Sequence, residues 1–532
     1  MRPLFFAITI PLLIILGALG YFVWPGFYYF GGVIFIFFLI GIKDVTQTKH
    51  SLWRNFPVIG RMRRLMESLR PKLYQYFVES DTDGRPINRL ERSIVYQRAK
   101  RELNTVPFGT QLDVYAEGYE WMTHSIAPQD FYKLDHNPRV TIGNKDCKQP
   151  YSASILNISA MSYGSMSSNA IEALNGGAKI GNFAHNTGEG GLSPYHLKPG
   201  GDIIWQIGTG YFGARDAEGK FSFETFKKNA LKPEVKMIEI KLSQGAKPGH
   251  GGILPASKNS EEVARIRHVE PHTTIYSPPY HSAFSTPLEF VQFLGKVREA
   301  SGGKPTGFKL CVGHKSEFIS ICLAMIELDI YPDFITVDGA EGGTGAAPLE
   351  FSDSVGAPML DALAFVHNML VGYDIRKHIK LIASGKVFTG FHILRAKALG
   401  ADICNSARAM MMALGCIQAL LCNTNTCPVG ITTQDSKLVK GLVVGDKKQR
   451  VANYHEDTIN SFVELLGAAG IDDHLKLNRT QIYRRVFMNQ VKTFEEIYPS
   501  IPVGALLRGE IPEKYVTDVE LSNMYGWATA GK

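Results

Sequence analysis

Residues 307–339 read GFKLCVGHKSEFISICLAMIELDIYPDFITVDG and contain a complete strand–helix–strand pattern. GFKLCV and FITVDG are short apolar runs, typical of buried strands, and EFISICLAMIELD between them has the length and periodicity of a helix. Two strands joined by a helical crossover lie parallel in one sheet, with a right-handed connection. This stretch therefore predicts a parallel α/β fold.

The same alternation begins near Ser154 and supplies nine strand candidates: SILNISA, NFAHN, IIWQIG, MIEIKL, TIYS, GFKLCV, FITVDG, IKLIAS and ADICN. Helix candidates such as PLEFVQFLGKVREA and FHILRAKALG lie between several of them. Over about 250 residues this pattern predicts a (β/α)8 TIM barrel. Nine candidates are one too many, so we expect IIWQIG or TIYS to lie outside the barrel. A doubly wound sheet is the alternative, but no strand leads into a G-x-G-x-x-G helix start.

The composition of the 532-residue chain is that of an ordinary globular protein, with 45% hydrophobic and 20% charged residues. A formal net charge of +7 is mild and gives no indication of nucleic-acid binding. The seven cysteines are an odd number and lie mostly singly in apolar runs. They argue against a disulfide framework and favour a reducing compartment.

Two uncharged apolar runs stand at the N-terminus, residues 4–24 and 27–42, separated by the turn-forming pair Pro25 and Gly26. The first has the roughly 20 residues that a membrane helix needs. A signal peptide is the alternative, but no small-x-small cleavage site is evident and a second apolar run follows at once. We therefore expect a transmembrane helical hairpin. Between Lys43 and Lys72 the sequence has eight Lys or Arg and two acidic residues. By the positive-inside rule, we expect this flank and the rest of the chain to lie in the cytoplasm.

These patterns divide the chain into four parts. We expect a transmembrane hairpin over residues 1–43, a basic juxtamembrane collar and N-terminal extension over 44–150, the barrel over 151–471, and a C-terminal extension of mixed helix and loop over 472–532. The collar could bind lipid headgroups. A charged face that covers a domain is the alternative interpretation.

Polar, glycine-rich segments follow the strand candidates, at the barrel end where active sites lie. They are MSYGS, TGEGG, SQGAKPGHGG, DGAEGGTGAAP, ASGKVFTG and NSARAM. Glycine permits close backbone approach, and free N–H groups in such turns bind anions. One such loop is a weak signal, but six at one end of a barrel predict a phosphate-bearing cofactor.

Three basic residues are candidates for the site. Lys309 lies in an otherwise apolar strand; inside a barrel it would stabilise a developing anion, whereas on a surface strand it would only extend into solvent. Lys247 and Arg267 suit a dicarboxylate, because one is a compact cation and the other a planar fork. Arg267 could equally be an exposed helical arginine.

Residues 415–430, GCIQALLCNTNTCPVG, hold Cys416, Cys422 and Cys427 at C-x5-C-x4-C spacing. A structural zinc site needs four ligands, and no histidine or fourth cysteine lies near in the sequence. A cysteine followed by proline is familiar from iron–sulfur ligation. Three thiolates suit a 3Fe–4S cluster, although the spacing leaves open three buried cysteines with no ligand.

The stretches ISAMSYGSMS, NTGEGG, EIKLSQGAKPG, YSPPYH, DGAEGGTGAAP and GCIQALLCNTNTCPVGITTQ resemble the FMN-binding synthase domain of glutamate synthases, over some 60% of the chain. The resemblance implies FMN in a (β/α)8 barrel, with the three cysteines of residues 415–430 holding a 3Fe–4S cluster. It also implies reductive amination of 2-oxoglutarate to glutamate through 2-iminoglutarate.

The resemblance also assigns residues. Gln244, Lys247 and Arg267 match the family's 2-oxoglutarate contacts, Glu189 its acid near the imine carbon, and Lys309 its flavin lysine. The full set of implied FMN contacts is Ala160, Met161, Ser162, Gln244, Lys309, Gly343, Thr344, Gly345, Gly385, Lys386, Ala407 and Arg408.

Departures from the family pattern leave the substrate open. The glutaminase domain and the C-terminal β-helix domain of complete synthases have no counterpart here, so ammonia would come from outside this chain. Electrons would come from a donor such as ferredoxin or a reductase subunit. The family's GEGGQ reads GHGGI here, with His250 and Ile253. Two alternatives remain: amine transfer of the N-methylglutamate synthase type, and an anchored electron-transfer flavoprotein that forms no glutamate.

Overall fold

The computed structural model describes residues 1–102 and 105–527 and divides the chain into two compact units, Met1–Leu90 and Glu91–Lys532. The regular secondary structure of the first unit is all helical. Its helices are α1 (Arg2–Phe22), α2 (Phe27–Thr46), α3 (Ser51–Asn55) and α4 (Gly60–Leu73), followed by a π-helical turn, Tyr74–Val78. α1 and α2 pack against each other, and both are long and apolar enough to cross a membrane, with mean hydropathies of 2.3 and 1.7.

The second unit is built around a closed barrel of eight parallel strands. Before the barrel come α5 (Arg89–Lys100), within which the chain passes from one unit to the next, and three short strands: β1 (Glu120–Met122), β2 (Arg139–Ile142) and β3 (Tyr151–Ser154). The first four barrel strands are β4 (Leu156–Ile158), β5 (His185–Asn186), β6 (Ile203–Ile207) and β7 (Val235–Lys241). After β8 (Ile253–Leu254) and β9 (Ile275–Tyr276), the barrel continues with β10 (Thr306–Leu310), β11 (Phe334–Asp338), β12 (Lys380–Ser384) and β13 (Ile403–Ser406).

The register closes the barrel without an edge. Neighbours in sequence pair along the barrel, β7 pairs with β10, and β13 returns to β4, where Cys404 lies opposite Leu156. This closure confirms the predicted TIM barrel and excludes the doubly wound sheet. IIWQIG forms β6 within the barrel, whereas TIYS contributes β9, which pairs with β8 outside it.

Helices surround the barrel, and several begin at a side-chain cap. Ser167, Thr286 and Thr389 each accept a hydrogen bond from a backbone N–H in the first turn that follows. The helices up to the last barrel strand are α6 (Ser168–Gly181), α7 (Pro194–Leu197), α8 (Phe223–Ala230), α9 (Glu261–Arg267), α10 (Pro287–Ala300), α11 (Lys315–Leu328), α12 (Leu349–Ser354), α13 (Met359–Gly372) and α14 (Gly390–Ala398). Those beyond it are α15 (Arg408–Ala413), α16 (Ser436–Val439), α17 (Val444–Ala468), α18 (Phe494–Ile497) and α19 (Val516–Glu520).

The C-terminal extension contains strands, which the sequence did not predict. β14 (Ile482–Phe487) and β15 (Gln490–Thr493) form a hairpin, and β14 pairs antiparallel with β1. Glu120 of β1 accepts hydrogen bonds from Arg484 of β14 and Arg395 of α14. The expectation of mixed helix and loop was wrong here, because this sheet joins segments far apart in the sequence.

Candidate active site

The predicted substrate residues lie at the C-terminal end of the barrel strands. Glu189 lies in the 3-10 turn Gly188–Gly190 after β5. Lys241, which the sequence did not predict as a site residue, is the last residue of β7. Gln244 and Lys247 follow in the next loop, and Arg267 ends α9. The fold therefore brings segments up to about 80 residues apart to one end of the barrel.

Glu189 and Lys241 form an ion pair in this region. Lys241 Nζ lies 2.8 Å from Glu189 Oε1 and also donates to Gln244 Oε1 at 3.0 Å. Glycines at two positions leave room for the carboxylate, since a β-carbon at Gly208 or Gly252 would lie 2.5 or 2.8 Å from its oxygens. The loop glycines thus make space for a charged group as well as allowing turns.

Lys247 and Arg267 are both buried, with 4% and 5% of their surfaces exposed. Lys247 Nζ donates to the carbonyl of Ala346 at 2.9 Å. Arg267 Nη2 donates to the carbonyl of Tyr163 at 3.0 Å, and its guanidinium lies 5.2 Å from the centre of the Phe212 ring. The alternative of an exposed helical arginine is therefore wrong.

The charges in this cluster are coupled. Burial alone would raise the pKa of Glu189, but Lys241, Lys247 and Arg267 hold it below its ordinary value. Burial lowers the pKa of Lys247 to about 8 and that of Arg267 to about 10, and Glu189 opposes both shifts. Near neutral pH one carboxylate thus faces several cations, a surplus of positive charge that suits an anionic ligand.

Two buried atoms of the cluster, Glu189 Oε2 and Arg267 Nε, lack a hydrogen-bond partner among the described residues. Buried polar groups are normally paired, so unpaired ones indicate a ligand, water or ion.

Lys309 lies inside the barrel wall, with 5% of its surface exposed, so the surface-strand alternative is wrong. Its Nζ lies 3.2 Å from Asp338 Oδ2, which also accepts a hydrogen bond from Gly245 N. Burial alone would lower the pKa of Lys309, but Asp338 and Glu239 outweigh it and raise that pKa. Lys309 is therefore a fixed cation at neutral pH.

Glu239 supports this end of the barrel from within. It is fully buried in β7, where it accepts hydrogen bonds from Asn186 at 2.8 Å, Gln206 at 2.7 Å and Thr336 at 2.6 Å. These donors belong to β5, β6 and β11. One carboxylate thus joins four strands and contributes negative charge to the surroundings of Lys309.

The residues predicted to contact FMN follow four strands at the same end of the barrel. Ala160, Met161 and Ser162 follow β4; Gly343, Thr344 and Gly345 follow β11; Gly385 and Lys386 follow β12; and Ala407 and Arg408 follow β13. Arg408 Nη2 donates to the carbonyl of Glu341 at 2.5 Å. Lys386 has φ of +45°, which a non-glycine residue adopts only where its surroundings enforce it.

The two residues that depart from the family pattern, His250 and Ile253, follow Lys247 closely in the sequence. Ile253 is in β8, directly after Gly252, and pairs with Tyr276. His250 Nδ1 lies 2.7 Å from the carbonyl of Gly251, and its ring meets Phe351 edge-on. Neither side chain extends the set of paired charges.

All seven cysteines are free; Cys427 is buried, and Cys416 and Cys422 are partly exposed. Burial alone would raise the pKa of Cys427, but hydrogen bonds centred on Thr432 and the backbone of Val429 and Ile431 lower it. Burial raises the pKa of Cys416 to about 11. Within the described residues, no three His, Cys, Asp or Glu are grouped so as to hold a metal ion.

Lys258 joins the cysteine loop to the barrel. It is only 2% exposed, and Nζ donates to the carbonyls of Ser165 at 3.0 Å, Cys422 at 2.7 Å and Thr432 at 2.8 Å. Burial lowers its pKa to about 8, while Cys422 and Cys427 oppose the shift. It is a buried cation beside the thiols.

Sequence reasoning missed Lys241, Glu239, Asp338 and Lys258. Lys241 and Glu239 carried a signal, because charged residues within the apolar run MIEIKL are unusual for a buried strand. Asp338 is a charged residue at the end of the apolar run FITVD, and this was a weaker signal of the same kind. Nothing in the local sequence of Lys258 distinguishes it from a surface lysine.

A closed parallel barrel with paired charges and glycine-rich loops at the C-terminal ends of its strands is the architecture of an α/β-barrel enzyme. Residues 94–472 match the family described as the conserved region in glutamate synthase. The chain belongs to this glutamate synthase family and is a glutamate synthase-like oxidoreductase.

Two curated relatives carry glutamate synthase names. The chain is 40% identical to the glutamate synthase large subunit-like protein YerD of Bacillus subtilis, over 85% of this chain and 93% of that protein. It is 37% identical to an archaeal glutamate synthase [NADPH] of Methanocaldococcus jannaschii, over 63% of this chain and 62% of that protein. A solved mutant flavocytochrome b2 with pyruvate bound is 13% identical, with a TM-score of 0.42, over 85% of this chain and 91% of that one.

Proposed function

We propose that this protein reductively aminates 2-oxoglutarate to glutamate with FMN and a 3Fe–4S cluster, using ammonia from outside this chain. The observation that carries the proposal is the cluster of Glu189, Lys241, Lys247 and Arg267 at the end of the barrel where such enzymes bind substrate. The family assignment supports the same chemistry.

Lys247 and Arg267 would bind the two carboxylates of 2-oxoglutarate. Both are buried cations, so a carboxylate that meets them is shielded from water and strongly attracted. The unpaired Nε of Arg267 is one donor available for that purpose. Gln244, held by Lys241, would fix the orientation of the keto acid.

Glu189 would act on the nitrogen. Its lowered pKa keeps it ionised at neutral pH, so it would stabilise a positively charged imine rather than repel it. Its unpaired Oε2 is the atom that would accept a proton from the incoming amine. Lys241 would keep the carboxylate in place throughout.

The residues at the barrel mouth fit FMN. Glycine-rich loops after four strands would bind a phosphate through backbone N–H groups, and Lys309 would supply a fixed cation for the charge of a reduced flavin. When bound, FMN supplies the hydride that reduces the imine carbon. The residues that would hold FMN are Ala160, Met161, Ser162, Gln244, Lys309, Gly343, Thr344, Gly345, Gly385, Lys386, Ala407 and Arg408.

The cysteine loop fits an iron–sulfur cluster by its chemistry. Cys416, Cys422 and Cys427 are soft thiol ligands on one loop, and the pKa of Cys427 is already lowered by hydrogen bonds. Lys258 adds positive charge beside thiolates that would otherwise repel one another. A bound cluster would deliver single electrons to the flavin from a donor such as ferredoxin or a reductase subunit.

We further propose that residues 1–43 anchor the protein in a membrane, with residues 44–150, the barrel of residues 151–471 and the extension of residues 472–532 in the cytoplasm. α1 and α2 have the length and hydropathy for this role. The basic residues after α2 favour the cytoplasmic side.

The test is to purify the full-length protein in detergent, identify the flavin released on denaturation, and measure re-oxidation of the reduced flavin by 2-oxoglutarate with ammonium or with an alkylamine. We expect FMN and turnover with ammonium. The Lys247→Met variant should lose turnover at low 2-oxoglutarate. Lys304→Met is the matched control, because Lys304 is another buried lysine, two residues before β10 and hence at the opposite end of the barrel.

Each negative outcome contradicts a different part of the proposal. Release of FAD, or no flavin after reconstitution, would contradict the cofactor assignment. Turnover only with an alkylamine would assign an N-methylglutamate synthase type of reaction. Re-oxidation by no pair of keto acid and amine would leave an electron-transfer flavoprotein.

A further inference from the structure

Helix α4 carries an exposed apolar stripe. Six residues on and just before the helix fall within about 120° of its circumference: Ile59, Met62, Leu65, Met66, Leu69 and Leu73. Five of the six expose between 47% and 63% of their surfaces, Leu69 being only partly exposed. A soluble protein rarely leaves a contiguous apolar face of this kind uncovered, so the stripe indicates a binding surface.

Basic side chains border the stripe on both sides. Arg63 and Arg70 lie along one border, and Arg61 and Lys72 along the other. The acidic residue of the helix, Glu67, lies outside the stripe and is paired with Arg63 at 2.8 Å. An apolar stripe between two rows of cations is typical of a helix that lies in an anionic lipid interface.

An ion pair between a buried carboxylate and a partly exposed arginine fixes where α4 begins. Asp44, in the last turn of α2, is fully buried and accepts hydrogen bonds from Arg61 Nε at 3.0 Å, Arg61 Nη2 at 2.6 Å and Val58 N at 3.0 Å. Asp44 follows the apolar run that ends at Ile42. The start of α4 is therefore held at the level where α2 would leave a membrane.

Trp53, between the two helices, adds a second interfacial feature. The guanidinium groups of Arg61 and Arg64 lie 4.9 and 5.5 Å from the centre of its ring. Tryptophan and arginine together are favoured at the headgroup level, where one end of each side chain is apolar and the other polar.

We propose that α4 lies flat in the headgroup region of an anionic membrane leaflet, with its apolar stripe toward the acyl chains. The inference rests on the proposed membrane anchor and adds an in-plane helix to it. A lipid surface is favoured over a second copy of this chain, because two copies meeting stripe to stripe would bring their rows of cations together. A negatively charged surface is instead attracted by each row.

The experiment is photo-crosslinking of the full chain in vesicles, with benzoylphenylalanine at Met66 in the stripe or at Ser68 on the polar face as the matched control. Vesicles contain either phosphatidylcholine with phosphatidylglycerol or phosphatidylcholine alone. We expect lipid adducts from position 66 and few from position 68. The yield should fall in neutral vesicles and in the Arg63→Gln, Arg70→Gln double variant, since each basic residue near an anionic surface strengthens local binding about fivefold.

The outcomes separate this inference from the anchor. Vesicle flotation of the same samples reports the anchor: protein that does not float with vesicles overturns both proposals. Protein that floats but gives equal lipid adducts at positions 66 and 68, or none, overturns the in-plane helix alone. Adducts at position 66 between two protein chains would assign the stripe to self-association and overturn the lipid proposal.

Discussion

Replacing Lys258 by Met tests how the cysteine loop is held. Methionine has nearly the length of lysine but no donor, so the change removes three hydrogen bonds, to the carbonyls of Ser165, Cys422 and Thr432, and leaves the packing nearly intact. Each bond to a charged donor contributes about 1.5–3 kcal/mol. Burial of the ammonium, which lowers its pKa to about 8, offsets part of that sum. We expect a net loss of about 3 kcal/mol in the local stability of the loop.

Hydrogen exchange of the full-length protein measures this loss residue by residue. A destabilisation of about 3 kcal/mol raises the population of the open loop roughly a hundredfold. Protected amides between residues 416 and 433 should therefore exchange about a hundred times faster than in the unmodified protein. Bound iron per chain, measured on the same samples, should fall because the proposed cluster needs all three thiols of this loop.

Lys304→Met is the control for losing any buried lysine. Lys304 also has a pKa lowered to about 8 by burial, and its Nζ donates to the carbonyls of Ala230 at 2.7 Å and Lys232 at 2.8 Å. This variant should speed exchange near β10 and leave the cysteine loop protected. Equal protection of that loop in the Lys258 variant and the unmodified protein, with iron retained, would refute the role assigned to Lys258.

Three further predictions concern substrate, cluster and acid stability. Lys247→Met should raise the half-saturating 2-oxoglutarate concentration about ten- to a hundredfold, because one charge-assisted contact is lost, and should leave the flavin content unchanged. Unchanged steady-state kinetics would contradict that contact. Cys427→Ser should abolish the paramagnetic signal of an oxidised 3Fe–4S centre, because a hydroxyl is a poor substitute for a thiolate, whereas Cys322→Ser, in the core of α11, should retain it. Burial lowers the pKa of His455 from 6.5 to about 3. Between these two pH values the unfolded chain therefore binds one more proton at this histidine than the folded protein does. The free energy of unfolding falls as the pH is lowered through that window. His455→Gln should reduce that slope by up to about 1.4 kcal/mol per pH unit in urea unfolding at pH 4–7, and an unchanged slope would exclude His455 as its source.

The barrel could be predicted from the sequence because its strands are buried on both faces. Such strands appear as continuous apolar runs, and β10 and β11 are examples that the local pattern locates well. β14 could not be predicted in this way, since IYRRVF is only partly buried and mixes charged with apolar residues. Its pairing with β1, far earlier in the sequence, decides its conformation.

The candidate site could likewise be predicted only in part. Loops after strands indicate where polar residues gather, so the barrel pattern placed the loops of Glu189 and Lys247 at the C-terminal end of the strands. The choice of Glu189 within its loop came from the family resemblance. The partners of these residues could not be predicted, because the pairing of Glu189 with Lys241 depends on the order of β5, β6 and β7 around the barrel. The burial of Arg267 likewise depends on Phe212 and Tyr163, which no spacing within α9 reveals.

The pairing of β1 with β14 has a consequence for the growing chain on the ribosome. β1 lies about 360 residues before its partner, so at roughly 5–20 residues per second it waits about 20–70 s for that partner to be made. β4 waits about two-thirds as long for β13, and until then the nascent barrel has two open sheet edges. During that interval the early strands are exposed to pairing with other chains, and a chaperone that covers them would raise the yield of folded protein.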